Sequence, residues 1–68
     1  MVAKIVVVER METATGEIMI SYKIIDNGWS SQVAHIWIKK EEYTPEREKA
    51  ELEKVLIEYL ELKAKGLV

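Results

Sequence analysis

The sequence predicts an α+β fold of order β-β-β-α, in which a three-stranded antiparallel meander is followed by one C-terminal helix packed on one face. Residues 2–11, 17–26 and 31–40 each alternate between two sets of side chains at a period of two, which is typical of strands. All three segments are rich in the β-branched and aromatic residues that strands favour. The last third repeats its apolar residues at helical spacing instead. We expect a single domain spanning residues 1–68.

The connections between the predicted strands are short and contain turn-forming residues. The first, "ETATGE", centres on Gly16, and the second, "DNGWSS", centres on Asn27 and Gly28. Consecutive strands joined by short loops usually pair as neighbours. The two loops therefore predict an antiparallel meander.

Both ends of the predicted helix are marked by residues that suit helix termini. Thr44 is a good N-cap, and Pro45 suits the first helical position because its missing N–H is not needed there. Gly66 can adopt the left-handed conformation that ends many helices. Ile57 lies off the main apolar stripe. That stripe, which we expect to face the sheet, contains Leu52, Val55, Leu56, Tyr59, Leu60 and Leu62.

The alternation assigns the side chains of the strands to two faces. Pairing Met11 with Ile18, and Ile25 with Val33, brings Tyr22 opposite Ile36 and makes the alternation agree in all three strands. One face is then nearly uncharged, and we expect the helix to cover it. Its residues are Ala3, Ile5, Val7, Met11, Ile18, Ile20, Tyr22, Ile24, Ala34, Ile36 and Ile38.

The other face has an apolar middle and a basic rim. One helix covers only one side of a sheet, so these apolar residues would face water in an isolated molecule. An exposed apolar patch with a polar rim is typical of an interaction surface, and tryptophan is a frequent interface anchor. The alternative is a solvated face whose Val and Ile merely favour strands. The predicted interface residues are Val6, Val8, Met19, Ile25, Val33, His35 and Trp37, and the predicted basic rim is Lys4, Arg10, Lys23 and Lys39.

The edge of the first strand is a second candidate surface. In a meander this strand has one free edge, and its run "KIVVV" offers few charges to prevent further pairing. A second copy could pair there to make a six-stranded sheet, or a partner could add a strand of its own. The alternative is a different strand order that buries the first strand inside the sheet.

Composition excludes several classes of protein. The 68 residues form only a small core, and the absence of cysteine excludes disulfides and thiolate zinc sites. The N-terminal apolar run is too short to span a membrane and lacks signal-peptide features, so we expect a cytoplasmic protein without membrane contact. Heavy use of Glu, Lys, Ile and Val suggests a thermostable protein, natural or designed.

The sequence offers little for catalysis or for cofactors. His35 is the single histidine, and its expected neighbours are Val6, Lys23 and Trp37, which include no orienting carboxylate. No glycine-rich loop leads into a helix to hold phosphate. We therefore expect no enzyme activity, no metal and no cofactor.

These observations favour a small non-enzymatic protein-interaction module of adaptor or inhibitor type. It would self-associate, most simply as a homodimer, or dock on a larger protein. One alternative is a domain that lays the sheet face on DNA, although a single arginine on that face is poorly suited to base recognition. A designed scaffold without function is another alternative.

Overall fold

A computed structural model describes residues 3–66 of the chain. Val2, where the first predicted strand begins, lies outside the described residues. The elements are β1 (Ala3–Glu12), β2 (Glu17–Asp26), β3 (Trp29–Ser30), β4 (Ala34–Lys39), a 3₁₀ turn (Lys40–Glu42) and α1 (Pro45–Ala64).

The architecture is the predicted α+β fold, an antiparallel sheet followed by one C-terminal helix. β2 is central, with β1 on one side and both β3 and β4 on the other, and this strand order fits a meander. The sheet has four strands instead of three, because Trp29 and Ser30 of the predicted second loop pair with β2 as β3, and the third predicted strand, residues 31–40, begins only at Ala34 as β4. The ladder is interrupted between β3 and β4 at Ser31, whose Oγ accepts a hydrogen bond from the Ile24 amide at 2.8 Å. The serine side chain thereby replaces a backbone acceptor of the ladder.

The second loop is a tight hairpin turn. Asn27 and Gly28 both have positive φ, at 52° and 88°, as a two-residue type I′ turn requires. Pairing resumes at once, with Trp29 opposite Asp26 and Ser30 opposite Ile25. The predicted pairing of Ile25 with Val33 is therefore wrong.

A β-bulge at Val8 changes the faces of β1. Val7 lies opposite Tyr22, but Glu9 lies opposite Ser21, so Val8 is an extra residue without a partner. Beyond the bulge Arg10 and Met11 exchange the faces that strict alternation assigned to them. Met11 lies opposite Met19 instead of Ile18, and Arg10 lies opposite Ile20 on the helix side.

The pairing of β4 with β2 also differs from the prediction. Tyr22 lies opposite Ala34 instead of Ile36, a difference of two residues along the strand. Because side chains alternate with a period of two, a shift of two keeps every side chain on its predicted face. The shift changes only the cross-strand neighbours.

The core lies between the predicted sheet face and α1. Tyr22, Ile24 and Leu52 form its buried cluster, and Ile20 is fully buried. Thr44 caps the helix as predicted, since its Oγ accepts a hydrogen bond from the Arg47 amide at 2.9 Å. Three large apolar residues of α1 remain exposed, two of which belonged to the predicted stripe. They are Ile57, Leu60 and Leu62.

Candidate functional site

The face of the sheet opposite α1, here called the helix-free face, carries large exposed apolar side chains. Trp37 is 55% exposed, Val8 51% and Met11 47%. Met19 lies between Met11 and Trp37 across the three strands, so its row is apolar from edge to edge. Exposed apolar side chains that lie side by side in this way are typical of interaction surfaces.

The other predicted interface residues occupy different positions around this face. Val6 lies opposite Lys23, and Ile25 lies opposite Lys4. Val33 is 44% exposed but lies in the segment between β3 and β4 instead of in a strand.

The rim of the helix-free face differs in charge from the predicted basic rim at two positions. Arg10 is not part of the helix-free face, because the bulge turns it toward α1. Glu9 takes its place opposite Ser21, and Lys39 lies opposite Glu17. The rim of the helix-free face is therefore mixed in sign instead of basic.

A hydrogen bond joins Ser21 and His35 at 2.9 Å between Oγ and Nδ1. It resembles a nucleophile with its base, but Ser21 is only 3% exposed, so a substrate has no access to its hydroxyl. Within residues 3–66 no carboxylate bonds to the imidazole. The bond instead orients His35, whose ring lies 6.0 Å from that of Trp37. The prediction that His35 lies in the row of Val6 and Lys23 is wrong, because His35 lies in the row of Ser21 and Glu9, whereas Val6 and Lys23 lie opposite each other as predicted.

A first polar cluster holds the start of α1 to β1. Glu48 is 7% exposed, and its carboxylate accepts two hydrogen bonds of 2.6 Å from Arg10 and one of 2.8 Å from the Tyr43 hydroxyl. The bonds from Arg10 lower the pKa of Glu48, and the bond to Glu48 raises the pKa of Arg10. Both carboxylate oxygens of Glu48 thus have partners within the cluster, and these bonds tie the first turn of α1 to β1.

A second polar cluster holds the end of α1 to the turn after β2. Asp26 is 4% exposed and accepts hydrogen bonds from Lys63 and, at 2.8 Å, from the Tyr59 hydroxyl. The bond from Lys63, helped by that from Tyr59, lowers the pKa of Asp26. Trp29 stacks on Tyr59 with ring centroids 5.9 Å apart, so one face of its indole is covered while half of the side chain is exposed.

Acid is expected to destabilise the protein through these two clusters. A carboxyl group with a lowered pKa in the folded state stabilises the fold above its unfolded pKa, about 4 for Asp26 and Glu48. That stabilisation is lost as the pH falls through the lower folded pKa. Urea unfolding at successive pH values should show stability declining below about pH 4.

The control for acid unfolding is the double variant Asp26→Asn with Glu48→Gln. It should be less stable than the wild type at neutral pH and should lose less stability in acid. Equal acid dependence in the two proteins would contradict the assignment.

Sequence patterns missed Met11 and Glu9 as residues of the helix-free face. One signal was present: strict alternation puts the charged Glu9 between Val7 and Met11 on the face that packs against the helix. A bulge removes this conflict, because it moves Glu9 to the solvated side. No local pattern indicated the contacts of Arg10 with Glu48, since they join residues far apart in the chain.

The described part of the chain contains no group of three or more His, Asp or Glu side chains placed to hold a metal ion. It also contains no helix with the length and apolar character needed to cross a membrane. Comparison with protein-family models, with curated proteins and with solved structures finds no match to this chain. The proposal below therefore rests on the side chains of the helix-free face.

Proposed function

We propose that the protein is a small non-enzymatic interaction module whose helix-free face binds a second copy of the chain. The observation that carries this proposal is the apolar row of Met11, Met19 and Trp37, with Trp37 55% exposed. Burying a tryptophan removes a large apolar area from water, and tryptophan is enriched at the energetic centres of interfaces.

The charges of the helix-free face favour a second copy over a strongly charged partner. Lys23 and Glu9 lie in adjacent rows of the sheet, so the surface carries both signs within a short distance. Two such faces related by a two-fold axis can place Lys23 of one copy near Glu9 of the other. An entirely basic rim would instead repel an identical surface.

The same charges weaken the DNA alternative. A DNA-binding face needs several cations to neutralise phosphates. Arg10 has left this face and Glu9 has joined it, and Glu17 lies opposite Lys39. We include a cytoplasmic location in the proposal, because a chain without cysteine suits a reducing compartment.

The test is the substitution Trp37→Asp, which places a charge at the centre of the proposed interface. We expect self-association through this face to weaken at least about 100-fold, as for loss of a central tryptophan anchor. Sedimentation equilibrium over a wide range of protein concentration measures the effect. Circular dichroism should show that the fold is retained.

The matched control is Trp29→Asp, because Trp29 has a similar exposure of 52% but stacks on Tyr59 away from the apolar row. This control should keep the wild-type mass. If Trp37→Asp is folded and has the same mass as the wild type at every concentration, the proposal is overturned. A mobility shift of duplex DNA that is lost on Lys23→Glu would overturn it in favour of the DNA alternative.

A further inference from the structure

His35 is a titratable residue on the helix-free face, and the proposed self-association does not depend on its chemistry. The chain has one histidine and no cysteine. Histidine is the one side chain that ordinarily changes charge between about pH 5 and 8. A change of side-chain charge in this range therefore falls on His35, which is exposed on the face that carries Trp37.

The ring of His35 lies beside the proposed anchor of the interface. His35 and Trp37 are alternate residues of β4, so they share a face, and their ring centroids are 6.0 Å apart. A stable interface covers about 800 Å² of each partner, which corresponds to a patch with a radius of about 16 Å. A partner surface centred on Trp37 therefore also covers His35.

Ser21 holds the imidazole in place on the sheet. Its Oγ lies 2.9 Å from Nδ1 of His35, and this is the one hydrogen bond of the ring among residues 3–66. Ser21 is 3% exposed and belongs to the central strand β2, so it is a fixed support. Nδ1 is thus engaged within the chain, whereas Nε2 is hydrated by water when the face is exposed. Covering the face removes that water.

The charged groups nearest to His35 do not favour its protonation in a covered interface. On β2, Lys23 lies diagonally across from His35, about 7–8 Å away. On β1, Glu9 lies opposite Ser21, and its backbone is two strand spacings or about 10 Å from that of His35. β3 carries no titratable side chain, and α1 packs on the other side of the sheet. The nearest charge is therefore a cation.

The charges farther along the face do not reverse this balance. Lys39 and Glu17 lie opposite each other, so their charges offset one another. Lys4, opposite Ile25, adds a further cation. Protonation of His35 adds one more positive charge to the middle of the face. In a symmetric dimer each copy gains this charge, and the two identical faces then repel each other.

We infer that protonation of His35 dissociates the dimer formed through the helix-free face, so that pH regulates self-association. This inference rests on the proposed function. A neutral imidazole is buried beside Trp37 at little cost. An imidazolium in the same place loses the water around Nε2 and meets the same added charge on the second copy. Each dimer contains two such rings, so the proton acts twice on one equilibrium.

The first test is sedimentation equilibrium of the wild type at two pH values. We expect the dissociation constant to rise at least about tenfold between about pH 7.5 and about pH 5.5. This range lies above about pH 4, where the fold begins to lose the support of Asp26 and Glu48. Circular dichroism should accordingly show the same fold at both pH values.

Two variants of His35 separate its charge from its other contacts. His35→Gln keeps a neutral polar side chain that can hydrogen-bond to Ser21, so it should associate like the wild type at about pH 7.5 and should lose nothing at about pH 5.5. His35→Lys carries a positive charge at both pH values. It should therefore associate weakly at both.

The protons taken up on dissociation give a second measurement that needs no variant. Dilution calorimetry near pH 6, in two buffers that differ in ionisation enthalpy, counts these protons. We expect the wild type to take up as much as about one proton per chain when the dimer dissociates. His35→Gln should take up none.

The outcomes separate this inference from the proposed function. A wild-type dimer that depends on Trp37 but associates equally or more tightly in acid, or that takes up no proton on dissociation, overturns the pH dependence and leaves the proposed function standing. Equal losses in acid for the wild type and His35→Gln overturn it as well, because another group then binds the proton. A Trp37→Asp protein with wild-type mass, or a wild type that is monomeric at every concentration and at both pH values, overturns both.

Discussion

The variant Ile20→Ala is expected to lose about 3 kcal/mol of unfolding free energy. Ile20 is fully buried at the centre of β2, between Arg10 and Ile36 in the sheet register. Alanine would remove three carbon atoms and leave a cavity that neighbouring strands cannot close without breaking their pairing. A domain of this size has only about 3–10 kcal/mol of stability in total, so the loss is a large fraction of it.

Urea unfolding at one fixed protein concentration measures this loss, because association makes the apparent stability depend on concentration. Leu62→Ala is the control, since Leu62 is 41% exposed and alanine favours helices. Its midpoint should move little. A loss below about 1 kcal/mol for Ile20→Ala would show that the sheet adjusts around the cavity.

The variant Glu48→Gln is expected to lose about 1–2 kcal/mol of unfolding free energy. The substitution keeps the size of the side chain but removes the charge that binds Arg10 through two hydrogen bonds. The Arg10 side chain is 51% exposed, so water partly compensates its charge, and the loss is smaller than for a fully buried pair.

A double-mutant cycle with Arg10→Gln isolates the contact between the two residues from their other interactions. We expect a coupling free energy of about 1 kcal/mol between Arg10 and Glu48. The comparison is the pair of Arg47 and Glu51, which lies on the surface of α1 and should couple more weakly. Equal coupling in the two pairs would contradict a special role for the Glu48 cluster.

The elements of this fold were predictable because their signals are local. Alternation in residues 17–26 gave β2 its bounds, and Thr44, Pro45 and Gly66 marked the ends of the helical segment. The turn at Asn27 and Gly28 was also predicted, because few other residues adopt two consecutive positive φ angles.

The neighbours across strands were harder to predict, because pairing depends on geometry that no single segment encodes. The bulge at Val8 moved Arg10 to the helix side, and a shift of two residues replaced Ile36 by Ala34 opposite Tyr22. The apolar character of the helix-free face was nevertheless predictable, because Trp37 and Met19 kept their faces. The composition of its rim was not, since it depended on the bulge.

The contacts at both ends of α1 restrict how the helix can move on the sheet. Glu48 with Arg10 fixes its start, and Asp26 with Lys63 and Tyr59 fixes its end. Between them the helix packs on a mainly aliphatic surface that includes Ile5, Ile24 and Ile36, and such contacts have little directional preference. With one ionic contact removed the helix could pivot about the other, and with both removed it could slide. The carboxylates of Glu48 and Asp26, one near each end of α1, thus select a single position of the helix on the sheet. Apolar contacts alone would allow several.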